Sequence, residues 1–442
     1  MSRAPRGKDR RPADRPSDRR SAPAQPPVPG LAARQGAVSA IAAVLDRGRM
    51  FEETRFSGDP AERAEARALA DLTLRRLGEI DTALAERVPK PPRAPVIHIL
   101  RVMAAELMFR QTGPHAAVDL AVRQAKAGPG ARLAGLVNAV GRRLAAEPPA
   151  PAKDAGWRNM AGWLWHRLGT DWGRERALAI AAAHLVLPPV DLSLRTPGDA
   201  EALAVELEAE ALPTGGLRLA ARPQISALPG YAQGAWWVQD AAASLPATLI
   251  PEPAGKRVLD LCAAPGGKTM QLAAAGARVT ALDISEARMA RLAENLARVG
   301  LEAGTVVADA LDWAPETRFD AVLLDAPCSA TGTVRRHPEL PRRFEEGAAE
   351  SLAKLTALQD RLLDRAWDWV APGGCLVFAT CSLLKAEGED RARAFAARSG
   401  AERLPVTGPF ATPEGDLRTL PDLWPERGGM DGFFAARFRR PG

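Results

Sequence analysis

The sequence predicts a multidomain chain: an all-α domain, a small α+β module and a C-terminal α/β domain on a doubly wound parallel sheet. Three observations carry this. Apolar residues recur at helical spacing from Gly36 onward, as in Val38, Ile41, Ala42 and Leu45. A proline-rich stretch, Glu147-Pro-Pro-Ala-Pro151, stops that pattern. Beyond Trp236, short continuous apolar runs alternate with helical segments, as parallel strands covered on both faces require. A length of 442 residues is enough for about two to four cores.

Taken in order, residues 1–35 are rich in Arg, Pro, Ser and Ala without periodicity, and read as a disordered basic tail. Residues 36–147 read as a compact helical domain. Its further helices are expected over Ala61–Leu84, Val96–Arg110, Ala116–Ala127 and Ala131–Ala146, joined by connectors holding Pro or Gly. Residues 157–225 form the small module. There Trp157, Trp163, Trp165 and Trp172 read as core, followed by strand Val190–Arg195, helix Gly198–Glu210 and strand Gly216–Arg222. Residues 226–442 form the α/β domain. Its strands are expected at Arg257–Leu261, Arg278–Asp283, Thr305–Ala308, Phe319–Asp325 and Cys375–Thr380, with Gly432–Phe438 as a final edge strand. Helices are expected over Lys268–Ala275, Ser285–Val299 and Glu346–Val370.

The net charge of +6 rests mostly on arginine and favours an anionic partner. Four cysteines, Cys262, Cys328, Cys375 and Cys381, sit in the last two-fifths of the chain, within or just after apolar runs. That placement suits a reducing compartment better than a disulfide framework. The cysteines make no C-x-x-C pair and the histidines are scattered, so no metal site is expected. The longest apolar stretch, Ala177–Leu187, is too short to span a bilayer, and the N-terminus lacks a signal-peptide apolar region. A cytoplasmic location without a membrane partner is the expectation, and nothing suggests an obligate oligomer, so a monomer is expected.

The chemistry-bearing residues gather at the carboxyl ends of the expected strands, where ligands bind in such sheets. A glycine turn, Asp260-Leu-Cys-Ala-Ala-Pro-Gly-Gly-Lys-Thr269, follows the first strand. It is not a Walker A loop, since Cys262 stands where the first Gly belongs, and it lacks the G-x-G-x-x-G of dinucleotide folds. Asp283 ends the second strand, where a carboxylate takes a ribose diol. Asp309 follows the third strand, placed to accept from an adenine amine, and Asp325 closes the fourth. One Asp after a strand is commonly a helix cap; four in register with a glycine turn are harder to read that way.

Cys328 and Cys381 follow two of these strands, in Asp325-Ala-Pro-Cys-Ser329 and Ala379-Thr-Cys-Ser382. A lone Cys is most often plain core, the reading kept for Cys375. Two thiols beside a nucleotide-like site suggest covalent chemistry on an electron-poor ring. Carbon 5 of cytosine becomes nucleophilic once a thiolate adds at carbon 6. This needs an activated Cys, an acid near N3, a methyl donor, and a base for the carbon 5 proton. Cys381 and Cys328 can share that work, with Asp325 facing N3.

These strings, with Val238-Gln-Asp240, Arg335-Arg-His-Pro338 and Asp431-Gly-Phe-Phe434, closely resemble the Sun-type RNA cytosine-C5 methyltransferases. Asp71, Leu74-Arg-Arg-Leu-Gly78, Pro114-His-Ala-Ala-Val118 and Leu136-Val-Asn-Ala-Val140 resemble a NusB-type RNA-binding domain. The resemblance implies a Rossmann-like class I methyltransferase domain whose substrate is RNA, most of all 16S rRNA. It implies S-adenosylmethionine bound by Cys262, Ala263, Ala264, Pro265, Gly266, Gly267, Lys268, Asp283, Asp309 and Asp325. It implies Cys381 as nucleophile and Cys328 as the helper in releasing the methylated base. Ala330, Gly141 and the segment Leu383–Glu387, which lacks a usual proline, depart from the family pattern.

Arg335, Arg336, His337, Arg342 and Arg343 form a charged loop that suits phosphates flanking an unstacked target base. Two rivals remain at this stage. A DNA cytosine-C5 methyltransferase would use the Pro-Cys cysteine, Cys328, as nucleophile. A non-catalytic RNA-binding or assembly factor would need neither thiol.

Overall fold

The computed structural model describes residues 1, 28–51, 56, 58–110, 112–150, 152, 155–345 and 347–442. Most of the predicted tail therefore lies outside the described residues. Its last five positions do not behave as tail: the first helix, α1 (Leu31–Leu45), starts at Leu31 and buries Ala33 and Arg34. Arg34 looked like tail from its charge, yet it pairs with the buried Glu106.

The helical domain continues through α2 (Pro60–Arg75), α3 (Leu77–Ala85), α4 (Val96–Phe109), α5 (Pro114–Ala127) and α6 (Ala134–Ala146). A capping box starts α2: Asp59 accepts from the Glu62 N–H and Glu62 accepts from the Asp59 N–H, an arrangement worth about 1 kcal/mol. The expected single helix over Ala61–Leu84 is broken at Arg76. The break sets Gly78 against the short helix Ala155–Asn159, where a Cβ would fall 1.7 Å from the Arg158 carbonyl oxygen. Helix α4 forms the core of the domain; Ile99, Leu100, Val102 and Met103 are buried, each worth about 1.5–3 kcal/mol. Gly141 fits under Met103 and Val118, both of which a Cβ there would approach to 2.8 Å. Packing of Met103 and Val118 thus accounts for the glycine.

After the linker come α7 (Ala155–Asn159) and α8 (Gly162–Ala183), the latter interrupted at Gly173 with φ +78°. Helix α8 packs on the C-terminal domain: Leu164, Leu168, Ala177 and Ile180 meet Val334, Leu383, Leu384 and Leu420. Trp163, Trp165 and Trp172 serve this interface, whereas Trp157, expected as core, is exposed. Trp163 donates to the Pro341 carbonyl at 2.8 Å and Trp172 to the Leu383 carbonyl at 2.9 Å. A small antiparallel sheet follows, made of β1 (Val190–Leu194), β2 (Ala209–Ala211), β3 (Leu217–Leu219) and β4 (Trp236–Val238) in the order β2-β3-β1-β4, with α9 (Ala200–Glu206) beside it. Its last strand lies beyond residue 225, where the sequence placed the module's end. Trp236 is fully buried in the module's own core, while Trp237 packs on Ala263, Met270 and Leu296 and ties the module to the next domain.

That domain opens with α10 (Ala241–Thr248). Its sheet carries β5 (Arg257–Leu261), β6 (Arg278–Asp283), β7 (Gly304–Val307), β8 (Phe319–Asp325) and β9 (Val370–Thr380), all parallel, in the order β9-β8-β5-β6-β7. Helices α11 (Gly267–Ala274), α12 (Glu286–Val299), α13 (Leu340–Arg343), α14 (Ala348–Asp368) and α15 (Glu389–Ser399) accompany it. Beyond β9 the sheet turns antiparallel. The terminal strand β12 (Phe433–Arg439) pairs with β9 on one side and with β10 (Glu402–Leu404) and β11 (Leu417–Thr419) on the other. It is therefore interior rather than the expected edge. Phe433, Phe434, Ala435, Ala436 and Phe438 are all buried, so both its faces are covered.

Candidate active site

The carboxyl ends of β5, β6, β8 and β9 bring the predicted residues to one side of the sheet. The glycine turn leaves β5 with Cys262 at φ +59° and Gly266 at φ +106°. At Gly266 a Cβ would come within 2.9 Å of Leu292, so the turn keeps both backbone freedom and clearance by carrying glycine. Helix α11 begins at Gly267 and holds Lys268 and Thr269 inward. Lys268 bonds Asp325 at 2.7 Å and lies 5.0 Å from the centre of the Phe433 ring. Burial opposes the Lys268 charge, but the Asp325 carboxylate outweighs it, and the ammonium pKa rises.

Asp260 is fully buried. Thr269 donates to its Oδ2 at 2.5 Å, while Oδ1 has no partner. Burial raises its pKa to about 7. Asp283, also buried, accepts from the Ser285 and Ala264 N–H groups and from Arg288 at 2.8 Å. Asp309 is half-buried and caps its own turn through the Leu311 N–H. The Cys262 thiol is pushed far up by burial and by the carboxylates of Asp325 and Asp283, so it is a neutral group.

Cys328 and Cys381 meet with their sulfurs 3.5 Å apart. The hydrogen bond to Cys381, followed by burial, raises the Cys328 pKa well above the thiol range. A cleft of about 440 Å³ opens here, lined by Ala263, Ala264, Pro265, Gly267, Lys268, Asp260, Asp325 and Cys381. Main chain closes part of the site: the Gly332 N–H donates to the Cys381 carbonyl and the Gly432 N–H to the Gly332 carbonyl, both at 2.9 Å. A Cβ on Gly332 would lie 1.9 Å from the Gly432 oxygen.

Three side chains that sequence reasoning did not assign to the site also belong to this region. Asp240 lines the cleft; its Oδ1 accepts from the Ala242 and Asp431 N–H groups. Burial, then the charge of Asp431, raises its pKa to about 7. Asp431 is fully buried and takes the Arg336 guanidinium at 2.7 Å. Glu387 sits behind the two Cys-Ser dipeptides. Asp240 and Asp431 stand in recognised strings, but nothing local shows that the two would meet.

The charged loop differs from expectation. Arg335 is fully buried, with Nε and Nη1 unpartnered and Nη2 on the Gly428 carbonyl. Burial lowers its pKa. Arg336 is held by Asp431, and Arg342 reaches the Asn159 carbonyl at 2.8 Å. Arg335 and Arg342 are therefore structural ties more than free phosphate contacts; Arg336, though paired, is exposed and lines the cleft, Arg343 is exposed and His337 partly so. A run of cations in sequence does not reveal which of them fold inward.

A family model for 16S rRNA methyltransferase RsmB/F matches residues 246–439, and one for the NusB family matches residues 31–146. The ribosomal RNA small subunit methyltransferase B of Xanthomonas campestris pv. campestris is 37% identical over 436 residues, covering 92% of this chain and 97% of that protein. The chain belongs to the RsmB/F family of rRNA methyltransferases. The protein of the same description from Xylella fastidiosa strain 9a5c is 38% identical over 427 residues, covering 91% of this chain and 98% of its own. A solved methyltransferase homolog from Pyrococcus horikoshii is 27% identical with a TM-score of 0.53, covering 62% of this chain and 93% of that one.

Membership of the RsmB/F family makes S-adenosylmethionine the cofactor. The residues present fit it. The bare glycine turn leaves room for a nucleoside, and the unpartnered Oδ1 of Asp260 beside the cleft suits a cationic ligand. Among the described residues no cluster could hold a metal ion and no helix is long and apolar enough to cross a membrane.

Proposed function

We propose that this enzyme methylates carbon 5 of a cytosine in 16S rRNA through a transient bond between the Cys381 sulfur and carbon 6 of the ring. The observation that carries the reading is the thiol pair: two sulfurs 3.5 Å apart, of which Cys381 lines the cleft. The Cys381 thiolate adds to carbon 6, and the ring electrons move onto N3 and carbon 5. The Lys268–Asp325 pair, hydrogen-bonded at 2.7 Å, offers charge and a proton at the N3 edge. S-adenosylmethionine, when bound, supplies the methyl group that the nucleophilic carbon 5 takes up. The carbon 5 proton then passes to a base, the N3 proton returns to the Lys268–Asp325 pair, and the carbon 6–sulfur bond breaks. Cys328, held as a thiol, donates its S–H to the departing Cys381 thiolate.

The same reading gives residues 36–147 the task of holding RNA and residues 226–442 the chemistry, in a cytoplasmic monomer. It is tested by mapping 5-methylcytosine in 16S rRNA from cells with and without the gene. One cytosine that loses its methyl group, and regains it on incubation with enzyme and cofactor, supports the proposal. Methyl transfer to an amino group or to ribose instead sinks it.

A further inference from the structure

The two cysteine loops are fastened to each other by one side chain. Glu387 is fully buried six residues after Cys381, in the turn before α15. Its Oε1 accepts from the Ser329 N–H at 2.9 Å and from Gln359 at 3.1 Å. Its Oε2 accepts from the Ser329 hydroxyl at 2.5 Å and the Ser382 hydroxyl at 2.6 Å. Gln359 in turn donates to the Pro327 carbonyl at 2.9 Å. Thr331 closes the ring from the other side, 3.2 Å from the Ser382 hydroxyl and accepting from the Leu383 N–H. The carboxylate thus accepts four hydrogen bonds, three from Ser329 and Ser382 beside the cysteines and one from Gln359, which itself ties down Pro327.

We infer that Glu387 is a positioning residue that registers the Cys328 loop against the Cys381 loop and so couples adduct release to adduct formation. This rests on the covalent reading above. The β8 and β9 ladder ends before either cysteine: Asp325 pairs with Ala379, and the Ala326 N–H reaches the Ala379 carbonyl. Beyond that point the main chains diverge into loops, and Glu387 with its serine partners replaces the ladder. The sulfurs it aligns must stay within hydrogen-bond reach while one of them binds and leaves a ring. A displacement of about 1 Å in such a pair costs on the order of a hundredfold in rate.

The geometry also predicts which substitution is tolerated. In Glu387→Gln the amide oxygen can still accept from the Ser329 N–H and from Gln359. The amide nitrogen can donate to the two serine hydroxyls, of which Ser382 turns to donate to Ser329 and Ser329 to Thr331. Glu387→Ala removes the clamp altogether.

The experiment incubates each variant with radiolabelled S-adenosylmethionine and unmethylated 16S rRNA transcript. It reads turnover, denaturant-resistant protein–RNA adduct, and cofactor affinity. Cys328→Ala is run alongside. E387A is expected to lose about a hundredfold in turnover, to keep cofactor affinity, and to accumulate adduct as C328A does. E387Q is expected to stay near the unmodified enzyme. If E387A fails to bind cofactor and so has not folded, Ser329→Ala, which removes one hydroxyl from the clamp, must show the same adduct accumulation in milder form. Adduct in C328A but none in E387A or S329A overturns the clamp alone. An E387Q that behaves like E387A overturns registry in favour of charge. No adduct in C328A strikes instead at the proposed release chemistry.

Discussion

The loops carrying Cys328 and Cys381 look alike in sequence and are held differently. Both leave neighbouring parallel strands and both read Cys-Ser. The Cys328 loop is gripped by Glu387 at the Ser329 N–H and hydroxyl and by Gln359 at the Pro327 carbonyl. The Cys381 loop touches the Glu387 carboxylate only through the Ser382 hydroxyl and is gripped besides by Arg418 at the Ser382 carbonyl. Cys381 stands in the cleft wall, while Cys328 reaches the site through the Cys381 sulfur and is held neutral by that contact and by burial. The lesson is that equivalent dipeptides acquire different surroundings from distant residues, as the proposed split into nucleophile and assistant requires.

The largest expected effect comes from exchanging the two roles. Cys381→Ala abolishes both turnover and adduct, whereas Cys328→Ala keeps the adduct and loses turnover, each by about a thousandfold or more. A gel of labelled RNA under denaturing conditions separates the outcomes. Adduct in C381A with none in C328A would reverse the assignment and favour the DNA-type use of the Pro-Cys cysteine.

A smaller effect concerns the floor of the cleft, where Asp260 is buried with its pKa raised from 3.8 to about 7. Below about pH 4 the carboxyl is protonated folded or unfolded and contributes nothing to pH dependence. Between those values only the folded chain holds the proton, so stability falls as pH rises, by up to about 4 kcal/mol at pH 8. Asp260→Asn removes that part of the slope and leaves the part due to Asp240, whose pKa is also raised to about 7. Urea unfolding of the cofactor-free enzyme at pH 5 and pH 8 checks it, and an unchanged slope in D260N disproves the assignment.

The smallest effect lies downstream of the Cys328 loop. Arg343→Ala raises the KM for RNA about threefold and lowers the log–log salt slope by about 1, as one lost phosphate contact should. Arg335→Met, by contrast, lowers melting temperature without altering the salt slope. Equal salt slopes for R343A and the parent enzyme would remove Arg343 from the RNA contact surface.

Much of this architecture was legible because its signals are local. The glycine turn, the apolar strands β5, β6 and β8, and both Cys-Ser dipeptides stand in short strings, and β5, β6 and β8 begin and end where their apolar runs do. What escaped was non-local. The buried fate of Arg335, the Asp240–Asp431–Arg336 cluster and the Glu387 clamp each depend on segments tens of residues or more apart. The strands β10 and β11 are three residues each and carry little periodicity. Strand β12 was found but misplaced, because an apolar run reveals burial and not which neighbours provide it.

The crossing of Gly332 over Gly432 has a further bearing. Where this crossing meets the Cys381 carbonyl the enzyme presents bare peptide, and a side chain at position 332 would drive the Cys381 and Gly432 main chains out of place. The chain's path bars change there, while exposed positions such as Val238 and Arg343 escape that constraint.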